Sequence, residues 1–422
     1  MKFGLARVCI TPGFRTCLAC SQQKDTLFES VHDDIFVGCA VLDDDNEKLM
    51  ILSYDLLFHS RDLHEFVYEY SIGKYGLKNE SILINFTHDH NSPSTLGYND
   101  FSASAEYEEL LKEKTLEAID TAFGSLETGT MEYGEIPGHW AINRRKSSPD
   151  GIKLAPNPDG PVDDRIYLLK LTSASGKTKG LVINYACHPV HYPDPLALTS
   201  EYPGFLCEYI ENMIPGCIPL FIQGAGANAR PAGTAEGDRF VHRSFSHISD
   251  MASEMGKAII DSLNSGISEK KDPEFFSASF EIRIPTEDEG RDYFIDRSND
   301  ISLSAHLRRN AVTMVSDYDG IEDAFTLNLG IMKLSSDLVI LHMGGEPCCE
   351  VKFNLMDIFK GFHVIFAGYT DGCSYIVTDE LIAKGGYEVN CFLEYMHKGR
   401  IKSGIDKILH DACSEAFAII IS

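Results

Sequence analysis

The chain of 422 residues carries 37 Lys and Arg against 63 Asp and Glu, a formal charge of −26, which opposes sustained contact with a phosphate backbone or an anionic membrane surface. Hydrophobic residues make up 44% and charged residues 24%, a composition that supplies a large core and excludes disorder and collagen-like repetition. The start, MKFGLARVCITPGF, holds no apolar run fit for a secretory leader, and no stretch reaches about eighteen apolar residues, so the expected compartment is the cytoplasm.

Residues 48–57 (KLMILSYDLL) are a near-continuous apolar run expected to form a buried strand; helical spacing follows over 62–75 and a second strand over 81–86. A long helix is expected over 104–126, then a hairpin of 166–172 and 180–185 across a Ser-Ala-Ser-Gly turn. Apolar strands come next at 218–222, 338–343 and 363–367, with helices near 238–263 and 405–418. The most polar stretch, 265–302, has no linker-like run of Pro or Gly. The alternation predicts an α/β fold, mixed β-sheets flanked by helices, as a single unit over 1–422 with its chemistry on loops at strand ends. The 12 cysteines are expected to be reduced and mostly buried, and Cys17 and Cys20 form a lone C-x-x-C without the second pair that a zinc knuckle needs.

The strand at 81–86 runs into Thr87-His88-Asp89-His90-Asn91-Ser92-Pro93. In an extended chain residues i and i+2 share a face, so the two imidazoles can reach one point, as a metal ligand and a helper or simply as two loop histidines. A strand at 181–186 ends in Cys187-His188-Pro189-Val190-His191, and the one at 338–343 ends in Gly344-Gly345-Glu346-Pro347. A glutamate between Gly-Gly and Pro is poor in helix and strand propensity, so either its backbone placement matters or the segment is a plain turn. Two histidines and one carboxylate from separate strand ends make a standard zinc set with room for a water or a further ligand. His59, His64, His242, His247, His306 and His397 stand in helix-like or linker-like contexts and are expected to be surface or core side chains.

From Gly4-Leu5-Ala6-Arg7 and Ile10-Thr11-Pro12 the order continues through His32-Asp33-Asp34, Ser53-Tyr54-Asp55-Leu56 and the His88 segment. Asn143-Arg144-Arg145, Gly160-Pro161-Val162-Asp163, Cys187-His188-Pro189 and Glu201-Tyr202-Pro203-Gly204 come after it. Gln223-Gly224-Ala225, Gly345-Glu346-Pro347, Tyr369-Thr370 and Gly386-Tyr387-Glu388 close the series. This ordered series resembles the neutral/alkaline non-lysosomal ceramidase family along nearly the whole chain.

The resemblance implies zinc ligands at His88, His188, Glu346 and Tyr375, with Tyr387 lining the site and His90 and Arg144 supporting or polarising the substrate. Apart from the resemblance, Tyr375 reads as a packed strand aromatic. Two departures stand out. Where the ceramidases carry serine in a G-D-x-S-P turn, residues 227–231 read Ala-Asn-Ala-Arg-Pro, which puts Arg230 at the serine position and leaves no serine nucleophile. The chain is also expected to be the catalytic domain alone, without the immunoglobulin-like domain of the lipid-acting members. The expected activity is therefore zinc-dependent hydrolysis of a C–N, amide-like bond of a small polar or carboxylated molecule, with a zinc-activated water as nucleophile. His90 would carry a proton, and Arg144 and Tyr387 would steady the oxyanion. Arg230 either fixes a substrate carboxylate or pairs with Asp238 or Glu236. A zinc esterase or lactonase, or a catalytically silent binding protein, are the other readings; no nucleic acid and no membrane insertion is expected.

Overall fold

The computed structural model describes residues 1–19, 26–58, 61–95 and 104–422, so Cys20 and His59 lie outside the described residues. The apolar run near residue 50 is a strand over Lys48–Tyr54, antiparallel to Phe36–Asp43 and parallel to Ile82–Phe86. These three end a long sheet that runs back through Lys2–Cys9, Glu127–Pro137, Arg165–Ser173 and Thr178–Tyr185 to Ile218–Gln223. The first and last strands of that path meet. Gln223 N donates to Asn85 Oδ1 at 2.8 Å and Ser53 Oγ donates to the Phe221 carbonyl, while Leu220, Ile222, Leu49, Ile51 and Leu83 share one core cluster. Burying both faces of these strands explains why they read as unbroken apolar runs rather than alternating ones.

A second sheet of four strands, Phe276–Pro285, Ala324–Ser335, Leu338–Met343 and His363–Ala367, contributes Ile340 and Ile365 to the same core. The helix Ala105–Gly124 covers the N-terminal strands, Glu201–Met213 packs beside Phe245–Asn264, and Ile405–Ile421 lies on the second sheet. Among the described residues, no helix is long and apolar enough to cross a membrane.

One expectation needs correction. The helix read from 238 begins at Phe245, because Gly237 at φ 59° closes a tight turn between Ala235–Glu236 and Arg239–Phe240 and the chain has yet to leave it. The polar stretch 265–302, where no element was read from sequence, holds the strands Glu269–Lys271 and Phe276–Pro285 and the helix Arg291–Asn299. Its strand buries Ile282 and Ile284 and leaves Arg283 in water, so a one-sided alternation was hidden in high average polarity.

What places the site is the set of parallel pairs. Lys48–Tyr54 with Ile82–Phe86, Thr178–Tyr185 with Ile218–Gln223, and Leu338–Met343 with His363–Ala367 are each parallel, and the segments leaving their C-terminal ends converge. Side chains collect in the crevice at such ends in open α/β sheets.

Candidate metal centre

Buried amides hold the strand ends together. Asn85 Nδ2 donates to the Gly368 carbonyl at 2.7 Å, and Asn184 Nδ2 donates to the carbonyls of Ile222 and Phe366, both at 2.9 Å. Both asparagines sit in apolar strands directly before an aromatic, as Ile84-Asn85-Phe86 and Ile183-Asn184-Tyr185. That out-of-place polarity was the signal for them, and sequence reasoning passed over it.

Backbone strain gathers just beyond these ends: His88, Tyr192, Glu201 and Tyr369 all take left-handed φ, between 50° and 66°. Each such non-glycine residue costs about 1–3 kcal/mol, a cost that recurs where side chains are aimed for function. Gly345 is there for the same reason. It has φ 73°, and a Cβ on it would lie 2.6 Å from the Ser374 carbonyl oxygen. The Gly-Gly before Glu346 thus lets Glu346–Pro347 pair with Tyr375–Ile376.

His88 Nε2 lies 3.2 Å and His188 Nε2 3.4 Å from Glu346 Oε2, all three side chains being buried. The opposite ring nitrogens face backbone carbonyls, His88 Nδ1 at 3.1 Å from Leu57 O and His188 Nδ1 at 2.8 Å from Gly226 O. A carbonyl only accepts, so in neutral rings the protons sit on Nδ1 and the Nε2 lone pairs face inward. Burial, with Arg144 next, presses His188 down to about 3, which keeps it neutral. His188 Nε2 and Glu346 Oε2 are buried without a hydrogen-bond partner. Acceptors converging on one point in a dry site repel unless a cation sits among them, so this donor set fits a metal ion, and two imidazoles with a carboxylate suit zinc. The carbonyls behind the rings are the outer support that ligating histidines use. A ring nitrogen of His90 also falls within 4.8 Å of those of His88 and His188.

Tyr375 stands opposite Glu346 in the parallel bridge, and its hydroxyl accepts a 2.8 Å bond from Arg144 Nη2. Arg144 Nε donates to Glu388 Oε1 at 2.9 Å, Arg145 Nη1 donates to the other oxygen of Glu388, and Arg145 Nη2 donates to Gly385 O at 2.6 Å. Burial opposes the charge on Glu388, but the two guanidiniums outweigh it and hold its carboxyl below the usual range. Arg145 therefore faces this cluster. Tyr387 packs its ring 5.7 Å from that of Tyr375 and donates to Glu394 Oε2 at 2.8 Å. Tyr395 donates to Glu346 Oε1 at 2.8 Å, which leaves Oε2 for the centre. Glu388 and Tyr395 were not assigned roles from sequence; Glu388 adjoins Tyr387 in a quoted motif, whereas nothing near Tyr395 marks it.

On the remaining side, Tyr192 places its hydroxyl 2.9 Å from His90 Nδ1 and its ring 5.8 Å from the Arg230 guanidinium. His191 turns away: its backbone N–H and Nδ1 bond the buried Glu201 at 2.7 and 2.8 Å, an anchor for the strained turn at Tyr192. Neither acid considered for Arg230 is paired with it. Asp238 bonds Lys146 at 2.6 Å, and Glu236 lies 3.9 Å from Arg243.

Fold and centre together define a class, a mixed α/β protein whose parallel strand ends carry a buried His–His–Glu set fit for a divalent metal. The fold is that of the neutral ceramidases. The crystal structure of neutral ceramidase from Pseudomonas aeruginosa superposes with a TM-score of 0.75 over 99% of this chain and 74% of that one, at 14% identity. A ceramidase complexed with C2 gives 0.74 over 98% and 74%, at 15% identity. No family model and no curated protein sequence matches the chain.

Proposed function

We propose that the protein is a metal-dependent hydrolase that cleaves a C–N, amide-like bond of a small polar substrate, with zinc held by His88, His188, Glu346 and Tyr375. The observation that carries this reading is the inward convergence of His88 Nε2, His188 Nε2 and Glu346 Oε2 while both Nδ1 atoms face carbonyls. Zinc bound there supplies Lewis acidity, polarising a carbonyl and bringing the pKa of a water toward about 7.

The chain's own groups do the rest. Tyr192 holds the His90 ring through Nδ1, orienting it to take or return a proton beside the centre. Arg144, itself fixed by Glu388, bonds the Tyr375 hydroxyl and brings positive charge to the side where a carbonyl oxygen would gain negative charge. Tyr387, half-exposed at the rim, offers a further hydroxyl once its bond to Glu394 is exchanged for substrate. Arg230 at the position of the family's serine supports water rather than a side chain as nucleophile.

Metal analysis of the purified protein, joined to a panel of matched amides and esters, tests the proposal. About one zinc per chain is expected, with His88→Ala and His188→Ala each lowering occupancy below about a tenth, and with amides turned over in preference to esters. Full zinc in both variants would refute the centre, and turnover of esters alone would turn the reading to an esterase or lactonase.

A further inference from the structure

Among the described residues Arg230 meets no counter-charge. Among the described residues no carboxylate is within ion-pair distance of it, and its one hydrogen bond is a long 3.4 Å contact from Nη2 to the Val190 carbonyl. Its Nε is buried without a partner. Burial works against the guanidinium, as does the positive charge of Arg144 nearby, and the opposing contributions come from Tyr192 and other weak groups rather than from an acid. In a chain with 63 acidic residues to 37 basic ones, leaving a largely enclosed arginine unpaired is costly and easily avoided.

The side chain is nevertheless held in place. Its guanidinium lies 4.7 Å from the Phe240 ring centroid and 5.8 Å from that of Tyr192, and aromatic faces at such distances fix the plane of the fork. Its backbone is paired opposite Ile142, two residues from Arg144, in the ribbon Ala229–Pro231 with Ala141–Ser148. Tyr192, which flanks the fork, also bonds His90. The unpaired donors are thus tied to the rim of the metal centre.

We propose that Arg230 receives the carboxylate of the substrate, so that the molecule acted on is a small N-acyl amino acid or comparable anionic amide whose carboxylate lies a short reach from the scissile bond. A planar fork matches a carboxylate with two parallel bonds. A phosphate dianion beside so acidic a surface calls for more positive charge than one free guanidinium supplies. The inference rests on the hydrolase reading for turnover and on Arg230 alone for binding.

Calorimetric titration of the metal-loaded protein with N-acetylglycine, the neutral N-acetylglycinamide and inorganic phosphate separates the two. Wild type is expected to bind the acid about ten- to one-hundred-fold more tightly than the amide, the span of a hydrogen bond to a charged group. Arg230→Gln should erase that preference while leaving N-acetylglycinamide affinity within about twofold, and Arg230→Lys should retain part of it. An equal preference in wild type and Arg230→Gln places the carboxylate on the metal and overturns the inference. So does phosphate binding with no preference for the acid, or the absence of any preference in wild type. Metal content and amide hydrolysis are measured on the same samples. Lost hydrolysis with the Arg230-dependent preference intact defeats the hydrolase reading alone, and intact hydrolysis with no such preference defeats this inference alone.

Discussion

Two regions of the site enclose arginine in opposite ways. Arg144 and Arg145 share the buried Glu388, and Arg144 Nε and Nη2 and Arg145 Nη1 and Nη2 each meet an oxygen of Glu388, Tyr375 or Gly385. Arg230 rests between Tyr192 and Phe240 with no acid beside it among the described residues. The first region is complete within the chain, so its charges hold the fold together and position Tyr375. The second lacks such an anion among the described residues, and under the proposal above its charge is left for a ligand. Burial alone does not distinguish a structural charge from a binding one; the presence of an internal partner does.

The contrast breaks most readily at Glu388. Glu388→Gln leaves two buried guanidiniums without their anion, and we expect a loss of about 3–5 kcal/mol in unfolding free energy, read by urea titration near neutral pH. The sign of its pH dependence follows from the lowered carboxyl. Its contribution is fully present above the unfolded value of about 4.3 and fades as pH falls toward the folded one, so wild type and variant should converge at acid pH. A difference that stays constant, or grows, on acidification would show that the carboxylate charge is not what holds the cluster.

Tyr375→Phe should lie in the middle. The ring still packs in its core cluster, but Arg144 Nη2 loses its acceptor, which costs about 1–3 kcal/mol. Under the proposed chemistry kcat falls by far more than this stability loss accounts for; a variant that is less stable yet turns over as well as wild type confines Tyr375 to packing.

Arg230→Gln should be the mildest, within about 0.5 kcal/mol of wild type or slightly stabilised, because it removes an enclosed charge and no ion pair. A loss as large as that of Glu388→Gln would mean that Arg230 is held by an acid after all and would collapse the distinction between the two regions.

Several buried strands were legible, so that 81–86 became Ile82–Phe86 and 338–343 became Leu338–Met343, but Phe36–Asp43, buried over all but its first residue, was not read. Nor was the strand Phe276–Pro285, since its wet face carries charges that mask the period of two. His88, His188 and Glu346 stood out as candidates because ligand-type side chains after apolar runs, beside Pro and Gly, are visible in one dimension. Asn85 and Asn184 left a fainter mark, and Tyr395, which meets Glu346 from a segment 49 residues further on, left none.

By itself, then, the sequence determined many of the buried segments and the turns that carry chemical groups, since both follow from local patterns of hydrophobicity and turn chemistry. Which groups meet was decided by the tertiary structure. That Glu388 serves both Arg144 and Arg145, that Asp238 and Glu236 lie with Lys146 and Arg243, and that Arg230 is left to two aromatic rings depend on contacts across up to 244 positions of chain. Charge pairing is set by distances of a few ångströms between side chains that only the packed sheets bring together, and no local pattern encodes it.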